Sequence, residues 1–110
     1  MTDDEVRRGD VFLVGLDPTV GGEIRKTRPC LIVSPDELNG TLRTFIVAPL
    51  TTGSHPYPFR VACKFQGRGG AVVLDQIRTV DRERLVRRIG KVSPAALDQA
   101  LRILQEMFSP

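Results

Sequence analysis

GGEIRKTRPCLIV, residues 21–33, joins two unlike pieces of chain. Two glycines and four charged residues come first, and a proline then leads into an apolar run of the kind that forms a buried strand. Arg28 stands directly before Pro29, and a residue before proline is restricted to extended conformations. The stretch therefore predicts a strand at 30–34 with a guanidinium group at its entrance.

Short strands separated by turns extend on both sides of this stretch. Apolar or alternating segments predict six strands, at 10–16, 30–34, 44–50, 59–65, 71–80 and 86–92. Residues 17–29 are predicted to form a loop, and a loop of that length in a small domain is often functional. The glycine-rich residues 66–70 are predicted to form a turn. The pattern favours a small, strongly bent antiparallel β-sheet or barrel.

Two local polar signals modify this pattern. Asp75 and Gln76 interrupt the strand predicted at 71–80, and a polar pair there requires hydrogen bonds, within a bulge or to an internal partner. Asp81 is predicted to cap one short helical turn that ends at Leu85.

The apolar period changes near the end of the chain. Ser93 and Pro94 form an N-cap followed by a proline at the first helical position. Apolar residues then recur at helical spacing: Leu97, Ala100, Leu101, Leu104 and Phe108. We predict a mainly β domain (β with α) whose C-terminal helix packs on the sheet. Ile103 and Met107 widen the apolar face, which leaves both core and dimer surface open for that side.

Composition indicates one globular domain, residues 1–110, with a basic balance. The chain has 110 residues and a formal net charge of +3. Cations concentrate at 25–28 and 78–91, a pattern typical of a polyanion-binding surface and equally of a solvated charged face. No apolar run is long enough to cross a bilayer, and the N-terminus lacks a secretory signal, so a cytoplasmic location is expected.

The sulfur and imidazole groups predict no metal site and no cofactor. Cys30 and Cys63 lie in apolar or alternating segments and are predicted to be buried free thiols. Together with His55, the only histidine, they do not supply the roughly four ligands that a zinc site uses. A single histidine also excludes a nuclease built on two.

Polar residues at predicted strand ends are the candidates for chemistry. Arg28 can bind a phosphate bidentately, or it can pair with Glu23 or Asp75. Thr51 can donate a hydrogen bond to a phosphate oxygen, although a threonine at a strand end is also common. Glu23 is a possible general base or a counter-ion of the neighbouring cations.

Four ordered motifs carry a resemblance to a known family. The chain resembles the MazF/PemK/Kid toxins of bacterial type II toxin–antitoxin systems in RRGDVFLVGLDPTVGGE, TRPCLIVSP, IVAPLTTG and VVLDQIRTVD. The resemblance implies an SH3-like or CcdB-like barrel with a C-terminal helix, and a homodimer. It also implies metal-independent cleavage of single-stranded RNA by the RNA's own 2′-hydroxyl, which leaves 2′,3′-cyclic phosphate and 5′-hydroxyl ends and inhibits translation and growth.

The same resemblance assigns roles to individual residues. Arg28 and Thr51 match the family's catalytic pair, and Glu23 and Gln76 match positions beside its RNA groove. Further RNA-binding candidates are Arg25, Lys26, Thr52, His55, Pro56, Tyr57, Phe59 and Arg78. Gly22 and Val73 stand where some members carry a histidine and an arginine, so the Arg28/Thr51 chemistry fits better than a His–Arg–Asp mechanism.

Partners and alternatives follow from the same comparison. The resemblance implies a cognate antitoxin whose acidic C-terminal tail occupies the basic groove. One alternative is a non-catalytic, CcdB-like DNA gyrase poison, which commonly needs a Trp at the end of its helix; this chain has no Trp. A second alternative is an RNA-binding barrel without catalysis.

Overall fold

The computed structural model describes residues 5–53 and 57–110, which form one antiparallel sheet and a C-terminal helix. Its elements in chain order are β1 (Asp10–Gly15), β2 (Thr27–Ile32), α1 (Asp36–Asn39), β3 (Thr44–Thr52), β4 (Arg60–Phe65), β5 (Arg68–Val73), β6 (Arg78–Asp81), β7 (Leu85–Lys91) and α2 (Pro94–Met107). Short 3-10 turns at Leu74–Gln76 and Arg82–Arg84 lie on either side of β6.

The strands pair in the order β4-β5-β3-β2-β1-β7, and β6 pairs with β3 outside this path. The predicted class, mainly β with a C-terminal helix, is confirmed. Within the described residues the sheet is open, because β4 and β7 stay at its two ends and do not pair with each other. None of the described helices has the length and apolar character needed to cross a membrane.

The predicted strand boundaries were wrong in two segments. β2 begins at Thr27 instead of residue 30, and Arg28 pairs with Val14 inside the strand. The segment predicted as one strand at 71–80 is two strands, and β5 already begins at Arg68 within the predicted turn. The split occurs because β5 pairs with the end of β3 whereas β6 pairs with its beginning.

The helix signals were read correctly. The Ser93 hydroxyl accepts a hydrogen bond from the Ala96 N–H at 3.1 Å, and Pro94 opens α2. Ile103 and Met107 are partly buried against the core. The prediction for Phe108 was wrong, because the helix ends at Met107 and Phe108 is 71% exposed beyond it. The Asp81 carboxylate likewise caps its 3-10 turn by accepting from the Glu83 N–H at 2.8 Å.

Apolar side chains cover both faces of the central strands. On the helix face, Leu31 and Ala48 belong to the cluster that includes Ala100 of α2. On the opposite face, Cys30 and Val47 belong to a second cluster, against which Ile24 of the loop at 17–26 packs. We call the first the helix face and the second the loop face. Because side chains alternate along a strand, each polar residue of β2 and β3 can be assigned to one of them.

Both cysteines are buried free thiols, as predicted. Burial raises the pKa of Cys30 to about 12, although the Arg78 guanidinium on the same face opposes the rise. Burial also raises the pKa of Cys63. A thiol that stays protonated is a poor nucleophile, so both side chains serve as small core groups.

Candidate active site

Arg28 and Thr51 lie on the loop face of neighbouring strands. β2 and β3 pair with Cys30 opposite Pro49. The pairing of these two strands ends there, and Arg28 and Thr51 lie two residues beyond it on their strands, both in phase with the loop-face residue Cys30. Arg28 pairs with Val14 of β1 and Thr51 with Ala71 of β5. Arg28 is exposed and Thr51 is half-buried. A guanidinium group and a hydroxyl therefore extend the same face of two neighbouring strands.

The Arg28 guanidinium keeps most of its donors for a ligand. Its Nε donates to the Arg25 carbonyl oxygen at 3.2 Å. The pairings with Glu23 or Asp75 that the sequence left open do not form: Glu23 accepts the Val20 N–H at 2.7 Å, and Asp75 pairs with Arg60. The remaining N–H groups form the planar fork that suits a phosphate.

A cavity of 680 Å³ opens on the loop face. Its lining includes Glu23, Gln76 and Arg78, and also Pro49, two residues before Thr51 on the same face of β3. Arg78 is fixed there because its Nη1 donates to the Leu16 carbonyl oxygen at 3.0 Å. Three predicted RNA-binding residues from two distant segments thus line one concave surface.

Hydrogen bonds order the loop at 17–26. The Leu16 N–H donates to the Lys26 carbonyl at 2.9 Å, which closes the loop at its base. The Lys26 N–H donates to the Asp17 carboxylate at 3.1 Å, and Lys26 adopts a φ of 72°. Arg84 donates to the Gly15 and Asp17 carbonyl oxygens at 3.0 and 2.7 Å. The side chains of Arg25 and Lys26 remain exposed on this ordered loop.

Thr52 lies on the other side of the sheet from Thr51. Alternation directs its side chain to the helix face, but both threonines border a second cavity of 410 Å³, which Phe65 and Arg68 also line. The sequence grouped the two threonines because they close the same strand. Alternation leaves Thr51, and not Thr52, in phase with Arg28.

An ion pair and two aromatic residues lie at the start of β4. Arg60 binds Asp75 through two hydrogen bonds, of 2.9 and 3.0 Å, and its guanidinium lies 4.8 Å from the centre of the Tyr57 ring. The Arg60 hydrogen bond lowers the pKa of Asp75 below its ordinary value. Tyr57 is 55% exposed and Phe59 is 43% exposed. The predicted RNA contacts His55 and Pro56 lie outside the described residues.

Sequence reasoning missed two supporting residues. Arg60 gives Asp75 its partner, and opposite charges on successive segments were the available signal. Gly70 pairs with Thr52 at the point where β5 passes β3. A Cβ atom at Gly70 would overlap the carbonyl oxygen of Thr51, so only glycine lets the strands approach there. Its position in GRGG gave no signal beyond a turn.

The described residues contain no group of three or more His, Cys, Asp or Glu side chains that could hold a metal ion. The cavity carboxylates, Glu23 and Asp75, are instead engaged by a backbone N–H and by Arg60.

Known proteins resemble this chain in sequence and in fold. The family model described as PemK-like, MazF-like toxin of type II toxin-antitoxin system matches residues 7–108. Endoribonuclease MazF9 of Mycobacterium tuberculosis is 36% identical over 117 aligned positions, which cover 94% of this chain and 99% of that protein. The crystal structure of MazF (Form-I) from Deinococcus radiodurans has a TM-score of 0.82 and 26% identity, and covers 93% of this chain and 94% of its own. An endoribonuclease in complex with its cognate antitoxin, from a mycobacterial species, has a TM-score of 0.77 and 26% identity, with 92% of each chain covered.

Proposed function

Because the chain belongs to the PemK-like, MazF-like toxins of type II toxin–antitoxin systems, its activity is that of an endoribonuclease toxin, and we propose that Arg28 and Thr51 are the pair with which it cleaves single-stranded RNA. The observation that supports the proposal is the register of β2 and β3, in which Arg28 and Thr51 are both in phase with the paired loop-face residues Cys30 and Pro49, and Pro49 lines the cavity. The strand ladder holds them there before any substrate binds, and such preorganisation is a main source of catalytic power.

The reaction requires hydrogen-bond donors that point at the phosphate, because negative charge builds up on its oxygens in the transition state. The 2′-hydroxyl oxygen attacks the adjacent phosphorus, the bond to O5′ breaks, and a 2′,3′-cyclic phosphate and a 5′-hydroxyl result. Arg28 stabilises the pentacovalent intermediate through its guanidinium, and the Thr51 hydroxyl donates to a nonbridging oxygen. Loss of one such donor costs about 3–4 kcal/mol of transition-state stabilisation.

The proton of the 2′-hydroxyl needs an acceptor, and the O5′ leaving group takes up a proton from solvent. Two carboxylates line the cavity, Glu23 and Asp75. Asp75 is committed to Arg60 through two hydrogen bonds. Glu23 uses one oxygen to accept the Val20 N–H, and its second oxygen remains for the proton. Glu23 is therefore our candidate for the general base.

RNA binding follows from cations and exposed rings around the pair. Arg25, Lys26 and Arg78 supply positive charge for the backbone, while Tyr57 and Phe59 offer surfaces on which unpaired bases can stack. A solved relative is an endoribonuclease bound to its cognate antitoxin. By analogy we propose that a cognate antitoxin covers this basic groove with an acidic C-terminal tail.

We also propose that the chain is a cytoplasmic homodimer, and a monomer in light scattering at micromolar concentration would contradict the dimer.

Cut-site mapping tests the proposal. Purified protein is incubated with a long single-stranded RNA in excess EDTA, and the cut sites and end groups are determined. We expect discrete cuts at a shared short motif, with cyclic phosphate ends and no cuts by the Arg28→Ala protein. Intact RNA, or cleavage that EDTA abolishes, would contradict the proposal.

A further inference from the structure

The two halves of the loop at 17–26 are held by different contacts. Its base is closed by the hydrogen bond between the backbones of Leu16 and Lys26 and by Arg84, which binds the Asp17 carbonyl. Its far half, residues 22–24, is bonded from outside by Gln76. The Gln76 Oε1 accepts the Ile24 N–H at 2.7 Å, and its Nε2 donates to the Gly22 carbonyl at 3.4 Å.

The amide of Gln76 matches this backbone segment chemically. One contact requires an acceptor and the other a donor, and an amide supplies both on a planar group. The 3-10 turn that carries Gln76 is itself fixed, because Leu74 is fully buried and Asp75 is bound by Arg60. Gln76 therefore connects a rigid part of the sheet to the far half of the loop.

A short path leads from this contact to Arg28. Ile24, which Gln76 binds, directly precedes Arg25, and the Arg25 carbonyl accepts the Arg28 Nε at 3.2 Å. We propose that Gln76 is a positioning residue, which holds residues 22–25 so that the Arg25 carbonyl orients the Arg28 guanidinium toward the phosphate. The proposal rests on the proposed function of Arg28. It gives Gln76 a role beyond the direct RNA contact implied by the family resemblance.

The Gln76→Ala variant separates positioning from direct RNA contact. Positioning predicts faster hydrogen exchange at the amides of 22–25 in the RNA-free protein, because local opening of the loop becomes easier. It also predicts a kcat about ten- to a hundredfold lower, with a KM within about threefold of wild type. Gln105→Ala, an exposed glutamine of α2, is the matched control and leaves both readouts unchanged.

The Gln76→Glu variant adds a pH profile that a merely structural role would not produce. An ionised carboxylate still accepts the Ile24 N–H but presents no hydrogen to the Gly22 carbonyl, whereas the protonated acid can do both. The ratio of its kcat to wild-type kcat should therefore rise as pH falls from 7 to 4, through the ordinary carboxyl range. The charged groups that line the same cavity are Glu23, Asp75 and Arg78, and both proteins contain them, so the ratio isolates the substituted side chain.

Unchanged loop exchange in Gln76→Ala, together with a loss confined to KM, would overturn the proposal in favour of direct RNA contact. A Gln76→Glu ratio that stays flat between pH 7 and 4 would overturn it as well. The exchange measurement needs no RNA. A protein that fails to cleave RNA would therefore refute the proposed function, and the anchoring of the loop by Gln76 would still be tested.

Discussion

The β2–β3 strand pair and the loop at 17–26 flank the same groove but are held in opposite ways. Backbone pairing positions Arg28 opposite Val14 of β1 and Thr51 opposite Ala71 of β5, and both strands carry buried residues on their two faces. In the loop, contacts between side chains and backbone, such as that of Gln76 with Ile24, hold a segment whose own side chains are mostly exposed. The difference teaches that the groups proposed to bind the phosphate can be held on a rigid element, while the loop carries recognition groups and the candidate base Glu23.

The largest expected effect concerns Arg28 on the strand pair. Arg28→Ala should lower RNA cleavage about 100- to 1000-fold, because a charged donor to the transition state is lost. Its fold should survive, since the side chain is exposed and makes one hydrogen bond, to the Arg25 carbonyl. The measurement is initial cleavage rate alongside a thermal melt.

Two arginine controls sharpen that result. Arg102→Ala removes the same charge on α2, where the side chain pairs with Asp98, and cleavage should stay at the wild-type level. Arg25→Ala, on the loop, should act mainly through KM. Equal losses of kcat in Arg25→Ala and Arg28→Ala would show that the guanidinium on the strand contributes no more to catalysis than the one on the loop.

The next effect tests the assignment of faces. Thr51→Val removes one hydroxyl at nearly constant volume and should slow cleavage about 10- to 150-fold, because a hydrogen bond to a charged group is worth about 1.5–3 kcal/mol. Thr52→Val makes the same change on the helix face and should cost much less. Single-turnover kinetics measure both, and the reverse order of the two losses would refute the register argument.

A third prediction concerns the glycine that lets β5 approach β3. Gly70→Ala should destabilise the protein by about 1–3 kcal/mol and displace Thr51, because the new Cβ overlaps the Thr51 carbonyl. Gly69→Ala has open space around its Cβ and should change stability by no more than about 0.5 kcal/mol. Urea unfolding followed by circular dichroism compares the two variants. Equal midpoints would show that the close approach of the strands at Gly70 does not require glycine.

The smallest expected effect lies at the edge of the groove. Asp75→Asn should cost no more than about 1 kcal/mol at pH 7, since the ion pair with Arg60 is partly exposed. The pairing lowers the pKa of Asp75 in the folded state, so its contribution is present above the ordinary carboxyl pKa and is lost as pH falls through the lowered value. The difference in urea midpoint between variant and wild type should therefore be smaller at pH 3 than at pH 7. A gap that widens on acidification would contradict the sign.

Local signals account for what the sequence predicted well. The Ser93 cap, the Pro94 start and the helical period of α2 each depend on neighbours within a few residues, and the structure has all three. The assignment of Arg28 and Thr51 stays a prediction, and it too rests on ordered motifs whose members each lie within a short stretch of chain.

What failed depends on contacts between distant segments. Whether residues 71–80 form one strand or two is decided by which part of β3 each half meets. The bond from Ile24 to Gln76 joins residues 52 positions apart, and no local pattern announces it. The face of Thr51 likewise follows from strand register, and a shift of one residue would exchange it with Thr52.

Cleavage of an RNA oligonucleotide that contains one mapped site, with a single 2′-deoxy nucleotide on the 5′ side of the cut, tests the central claim most directly. If Arg28 and Thr51 assist attack by the 2′-hydroxyl, the modified strand should resist cleavage while the unmodified strand yields a cyclic phosphate end. Cleavage of the modified strand at the same bond would show that another nucleophile acts, and would contradict the account.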